Sequence, residues 1–159
     1  MTVKIVTGCL LDAFDKREID VIGHVVNCQG VQGSGIAKAI KDKFIHEYQY
    51  YKEFCNYFIS PNDLLGQTQF VPASLTEVTS SKGIYNLFAQ LDYGSKTRDL
   101  NYGAMGKCLH FMSKDTMGMT VGFPFKMGSD RAKGDWNIVL EMIEFYFKDH
   151  DVTIYKLEG

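Results

Sequence analysis

Proline is scarce in this chain, with three residues in 159, and the three do not cluster into a linker. Long hydrophobic runs are missing as well. No stretch approaches the roughly 18 apolar residues that a membrane span needs, and the opening MTVKIVTG is a strand pattern rather than a charged region followed by an apolar run. A soluble, cytoplasmic protein with no membrane contact is expected. The four cysteines, Cys9, Cys28, Cys55 and Cys108, lie far apart with no CxxC pair and no His at zinc spacing. That pattern indicates neither a metal knuckle nor a disulfide scaffold, so reduced thiols and no metal or other cofactor are expected. Charge of one sign is also missing: 17 Lys and Arg against 19 Asp and Glu give a net charge of −2, with the signs interspersed. Such a surface lacks the basic concentration that holds a phosphate backbone. Nucleic acid is therefore not the expected partner, and a small anionic ligand in a local pocket fits better.

What is present is enough apolar residue, 45% of the chain, for one sizeable core. A single domain over residues 1–159 is expected, as a monomer. No internal repeat or low-complexity segment divides it. Strands are predicted at Val3 to Thr7, Asp20 to Asn27, Thr68 to Val71, Gly83 to Ala89, Thr120 to Phe125 and Val152 to Leu157. Helices are predicted from about Ile36 to Phe58, with a break near the aromatic-rich middle, and at Leu100 to Asp115 and Asp135 to Asp149. Pro61 to Asp63 reads as a turn and Leu91 to Asp99 as a polar loop. Alternating strands and helices imply an α/β fold with a largely parallel or mixed sheet covered on both faces, whose ligands lie outside the carboxyl ends of the strands.

The most informative stretch is HVVNCQGVQGSGIAKAI, from His24 to Ile40. An apolar strand runs into a turn carrying Gly30, Gly33 and Gly35, and a helix begins at Ile36. A helix N-terminus after a loose turn presents free N–H groups and a partial positive charge, which suits a phosphate. The glycine spacing matches neither GxGxxG nor GxxxxGK[ST], so by itself it does not separate a ligand loop from a structural turn. Asn27 and Ser34 add side-chain donors. Asn27 is either a ligand contact, its amide donating and accepting at once, or the cap of a turn. His24 lies by strand alternation on the face of Ile22 and Val26, opposite Asn27, and is either a general acid or base or a core histidine.

The residue order as a whole resembles the macro domain family. In that family an Asn ends a strand, a short glycine-rich loop follows, and a Gly with a β-branched residue opens a helix; Asn27 and Gly35-Ile36 stand in those places. GFPFKMGSDRAKGDWNIVLEMIEFYF, Gly122 to Phe147, resembles the family's last strand, second binding loop and last helix. His24, three residues before Asn27, and Trp136 at the start of the last helix make the chain most similar to the branch of ADP-ribose 1''-phosphate phosphatases and ADP-ribosyl-glutamate hydrolases. The resemblance implies a three-layer α/β/α sandwich with a mixed central sheet and a cleft for ADP-ribose or its 1''-phosphate. It implies ligand contacts from Cys9, Leu10, Asp20, Val26, Asn27, Gly33, Ser34, Gly35, Ile36, Gln90, Gly128, Ser129, Asp130 and Arg131, and catalytic roles for His24, Asn27, Asp130 and Asp135.

In this reading Asn27 touches the ribose farthest from the adenine, and the loop from Lys126 to Arg131 wraps the two phosphates with backbone N–H groups. Asp130 positions water or is a solvated carboxylate, and Asp135 is a candidate acid or only the cap of the last helix. Two departures stand out. Cys9 follows Gly8 where most members have the Asp that binds adenine, leaving Asp12 or Asp20 as substitutes, and Gln90 occupies the place of a catalytic Lys. Gln90 cannot form a Schiff base, which argues against a covalent route. Hydrolysis of ADP-ribose 1''-phosphate to ADP-ribose and phosphate is the expected activity. The alternatives are removal of ADP-ribose from protein or nucleic acid, and binding of ADP-ribose without turnover.

Overall fold

The structure, a computed structural model, describes residues 3–32, 35–76 and 81–157. Six strands form one sheet: β1 (Val3–Thr7), β2 (Val21–Asn27), β3 (Thr68–Pro72), β4 (Gly83–Gln90), β5 (Thr120–Pro124) and β6 (Asp151–Lys156). Their spatial order is β1-β6-β5-β2-β4-β3. Every neighbouring pair is parallel except β3 with β4, which is antiparallel, so the sheet is mixed. β2 and β4 are buried along nearly their whole length, as their unbroken apolar runs require of strands covered on both faces.

Six helices cover the sheet: α1 (Leu10–Asp15), α2 (Gly35–Lys43), α3 (Ile45–Tyr57), α4 (Pro61–Leu64), α5 (Tyr102–Asp115) and α6 (Trp136–Tyr146). On one face Met105, Leu109 and Met112 of α5 and Val139 and Ile143 of α6 pack with Val21, Val121, Phe123, Val152 and Ile154 of the sheet. On the other, α1 and α2 bury Leu10, Phe14 and Ile40 against Ile22 and Ile84, while Tyr51 of α3 joins Val26 and Phe88. The result is the three-layer α/β/α sandwich.

Several boundaries differ from the sequence pattern for local reasons. α1 has no counterpart there, because six residues are too few to show a helical period. The long helix expected from Ile36 to Phe58 breaks at Phe44, ahead of the aromatic run, where φ −118° and ψ 86° leave the helical region. The break turns the Phe44 ring edge-on to Phe14, 5.9 Å between centroids. Pro61 to Asp63 is one turn of helix rather than an open turn, with Ser60 Oγ accepting from the Asn62 N–H at 3.2 Å. α5 begins after Leu100 because Asn101 caps it, its Oδ1 accepting from the Ala104 N–H at 2.9 Å.

Gly23 in the middle of β2 lets the opposite face close. A Cβ there would stand 2.5 Å from Phe123 Cε1 and 3.0 Å from Met112 Cε, both side chains fully buried. Gly23→Ala is therefore expected to lower stability by about 1–3 kcal/mol through overpacking, measured by urea denaturation.

Candidate functional site

Five strands, β1, β6, β5, β2 and β4, run parallel, so their carboxyl ends share one edge of the sheet. At about 4.8 Å per strand spacing that edge is about 19 Å wide. A cleft of about 790 Å³ lies along it, inside the roughly 300–1,000 Å³ usual for small-molecule sites. It is lined by the ends of β2, β4, β5 and β6, by Cys9 to Leu11 beyond β1, and by the start of α2.

The first wall is the turn after β2, which the Asn27 side chain organises. Asn27 Oδ1 accepts from the N–H groups of Gln29 (2.9 Å) and Val31 (3.4 Å), and Nδ2 donates to the Val31 carbonyl at 2.8 Å. The buried Tyr51 hydroxyl donates to the Asn27 carbonyl at 2.7 Å and stands 3.0 Å from Asn27 Oδ1. Burial raises the Tyr51 phenol well above its ordinary range, so this donor stays protonated. The side chain therefore caps the turn, the second of the two readings the sequence left open. It closes the turn, and it lines the cleft with one Nδ2 hydrogen beyond those bonds. Gly30 and Gly35 hold positive φ, 78° and 62°, where an L side chain is strained. Gly35 and Ile36 open α2 in the cleft wall. Gly33 and Ser34, expected ligand contacts, lie outside the described residues.

The second wall is the loop leaving β5. It is closed by backbone bonds from Met127 N to Pro124 O (3.2 Å), Ser129 N to Lys126 O (2.8 Å) and Gly134 N to Gly128 O (2.9 Å). Among the described residues none of these bonds uses the N–H groups of Gly128, Asp130 or Arg131, and all three line the cleft. Such a run of open amides suits an anion. Lys126 reaches φ 59° without being glycine, a local strain at the mouth of the loop. Its ammonium lies 5.8 Å from the Phe125 ring centroid and that of Lys156 4.9 Å, with Trp136 packed against the same ring at 5.4 Å. Lys126, Arg131 and Lys156 against Asp130 make this cleft cationic in a chain whose net charge is −2.

The structure brings together Cys9, Leu10, Val26, Asn27, Gly35, Ile36, Gln90, Gly128, Asp130 and Arg131. It leaves four expected residues outside. Asp20 precedes β2, at the amino edge of the sheet, where its carboxylate accepts from the Thr120 N–H (3.0 Å) and pairs with Lys82 (3.2 Å). The Thr120 bond and Lys82 hold it below the usual carboxylate range. Ser129 Oγ is enclosed without a hydrogen-bond partner among the described residues, so it adds no hydroxyl to the cleft. Asp135 caps α6, accepting from the Asn137 N–H at 2.9 Å, and does not line the cleft.

His24 is the largest correction. It is fully buried on the α1–α3 side of the sheet, and the ring cannot reach a ligand in the cleft. Its Nε2 stands 2.6 Å from Asn86 Oδ1, Asn86 Nδ2 donates to Gln69 Oε1 (3.0 Å), and Gln69 Nε2 donates to the Tyr50 carbonyl (2.9 Å). That carbonyl can only accept, which orients both amides and makes His24 Nε2 the donor. Burial pushes the His24 pKa down, partly opposed by the Glu47 carboxylate and the Asn86 bond. Cys28, next to Asn27, is no nucleophile either, since burial pushes its thiol up to about 12.

Sequence reasoning missed Val31, Gln32, Tyr93, Phe125, Tyr155 and Lys156 as lining residues. The signal for Tyr155 and Lys156 is the end of a strand that runs parallel to the others, but a lone strand pattern does not carry its direction.

No family model matches the sequence. A curated relative from Ajellomyces capsulatus, named ADP-ribose 1''-phosphate phosphatase, is 34% identical over 67 residues, 42% of this chain and 26% of the relative; three further curated relatives bear the same name. The match thus spans about a quarter of that relative's length. Among solved structures, the macrodomain of Mycobacterium tuberculosis DarG superposes with a TM-score of 0.77 at 20% identity, covering 97% of each chain. Thermosipho africanus DarTG, solved in complex with ADP-ribose, superposes with a TM-score of 0.75 at 17% identity, covering 98% of this chain and 42% of that one. This chain has the macrodomain fold. In this fold the two loops stand at the carboxyl edge of the sheet, and a buried histidine lies behind them.

Two outcomes follow for β2 and the turn after it. Below the unfolded-state value of 6.5 the unfolded chain protonates His24 while the folded chain keeps it neutral, so its contribution is full above pH 6.5 and is lost progressively as the pH falls further. Denaturation at pH 7.5 and 5.5 should show a smaller loss for His24→Gln than for the wild type. Asn27→Ala should lower stability by about 1–3 kcal/mol, because it leaves the Gln29 and Val31 backbone groups short of partners.

Proposed function

We propose that this chain is a macro domain that binds ADP-ribose in the cleft and hydrolyses ADP-ribose 1''-phosphate to ADP-ribose and phosphate. The observation that carries the reading is the pairing of two facing loops: open amides after β5 for the linking phosphates, and the Asn27 turn for the distal sugar. The shared name of the four curated relatives supports it. In this reading the amides of Gly128, Asp130 and Arg131 hold the diphosphate, Lys126 offsets its charge, and the remaining Asn27 amide hydrogen orients the distal ribose. With His24 buried and Asp135 spent on a cap, Asp130 is the carboxylate left at the cleft to take a proton from the attacking water. Water adds to the 1''-phosphorus, the bond from phosphorus to the sugar oxygen breaks, and that oxygen takes the proton.

The same burial of His24 favours a second reading, in which the domain binds ADP-ribose and turns nothing over. Calorimetry with ADP-ribose and AMP, followed by phosphate release from the 1''-phosphate, tests both. The phosphatase reading expects tighter binding of ADP-ribose than AMP, and Asp130→Asn losing at least about 100-fold in turnover with little change in ADP-ribose affinity. Binding without phosphate release would leave the reader function. Equal affinity for AMP and ADP-ribose would remove both readings.

A further inference from the structure

The two ends of the cleft differ in chemistry. Toward β2 and β4 it presents Asn27, Gln32 and Gln90; toward β1 and β6 it presents Cys9, Leu10, Leu11, Tyr155, Lys156 and Leu157. The second end is an apolar slot with aromatic character, suited to a flat base. Its side-chain polar groups are few. The Cys9 thiol sits at the N-cap position of α1 and makes no capping bond. Tyr155 borders both this slot and the neighbouring groove that Thr153 and Glu18 line. Lys156 extends its ammonium over the Phe125 ring at 4.9 Å, with no carboxylate partner among the described residues. Its backbone carbonyl, the neighbouring acceptor, is taken by the Gly8 N–H at 2.9 Å. Asp12 lines a separate groove with Lys4 and Lys16, and Asp20 is at the opposite edge of the sheet.

This end therefore offers donors, a strong one from Lys156 and a weak one from Cys9, and no strong side-chain acceptor among the described residues. Adenine shows a 6-amino group, a donor that needs an acceptor. A 6-oxopurine shows an oxygen at the same place, which needs a donor, and a protonated N1 where adenine's N1 accepts, so each base presents one acceptor on this edge that a donor can meet. Sites that discriminate strongly do so with a built partner for the group they read. We infer that this end of the cleft holds a purine without selecting adenine, and that Lys156 lets a 6-oxopurine nucleoside diphosphate ribose bind comparably to ADP-ribose. The inference rests on the ADP-ribose reading of the cleft and names the class of ligand it admits.

Calorimetric titration of the whole chain with ADP-ribose and with inosine diphosphate ribose tests it. In the wild type the inosine compound is expected to bind no more than about threefold more weakly than ADP-ribose. Lys156→Met should weaken the inosine compound more than ADP-ribose. Cys9→Asp, which adds an N-cap acceptor to α1 and so keeps the fold, should bring a preference for ADP-ribose of about tenfold. A wild-type preference for adenine beyond threefold, equal losses in Lys156→Met, or a folded Cys9→Asp without adenine preference would each overturn the inference. Absence of binding by either nucleotide would instead overturn the ADP-ribose reading on which it stands.

Discussion

The parallel pairing of β2 with β4 on one side and β5 on the other is the constraint on which the rest of this structure depends. Parallel neighbours point their carboxyl ends the same way, so the chain that leaves β2 at Asn27 meets the chain that leaves β5 at Pro124 although a hundred residues separate them. Neither loop is a site alone. The first supplies a turn held by one amide side chain and a phenol, the second a run of open backbone N–H groups among cations. The sheet supplies rigidity to both, because its central strands are buried on two faces and cannot slip register without exposing an apolar run.

Alternation along β2 then separates two kinds of polar residue. Asn27 ends the strand at the cleft. His24 enters the core, where a row of three side chains in strand register, His24, Asn86 and Gln69, crosses β2, β4 and β3 and ends on the backbone of α3. A buried polar group is costly unless it is bonded; the row bonds His24 Nε2 and both amides, and leaves His24 Nδ1 without a partner among the described residues. The same helix carries Tyr51, so α3 is tied to the sheet by the row and to the first ligand loop by its phenol. Stability of the layer and shape of the cleft are linked through one helix.

Much of this was legible in the residues. The strand–turn–helix from His24 to Ile40 and the loop after Phe125 both stand where the patterns place them, and alternation already put His24 and Asn27 on opposite faces. What remained hidden was set by neighbours in space. Asp20 and Asp135 adjoin predicted elements in sequence, yet one sits at the amino edge of the sheet and the other is consumed as a cap, and only strand direction and cap geometry decide that. Val152 to Leu157 reads as a strand, but its parallel place between β1 and β5, which carries Tyr155 and Lys156 to the cleft, depends on pairing that local alternation does not encode. α1 was invisible because six residues fixed by Leu10, Ala13 and Phe14 in the core show no period of their own.

The most direct measurement is a crystal structure of this chain with ADP-ribose. The account predicts the diphosphate against the backbone N–H groups of Gly128, Asp130 and Arg131, the distal ribose beside Asn27, and the base in the slot between the ends of β1 and β6. A nucleotide bound away from the carboxyl edge, or bound there with its phosphates clear of the second loop, would contradict it.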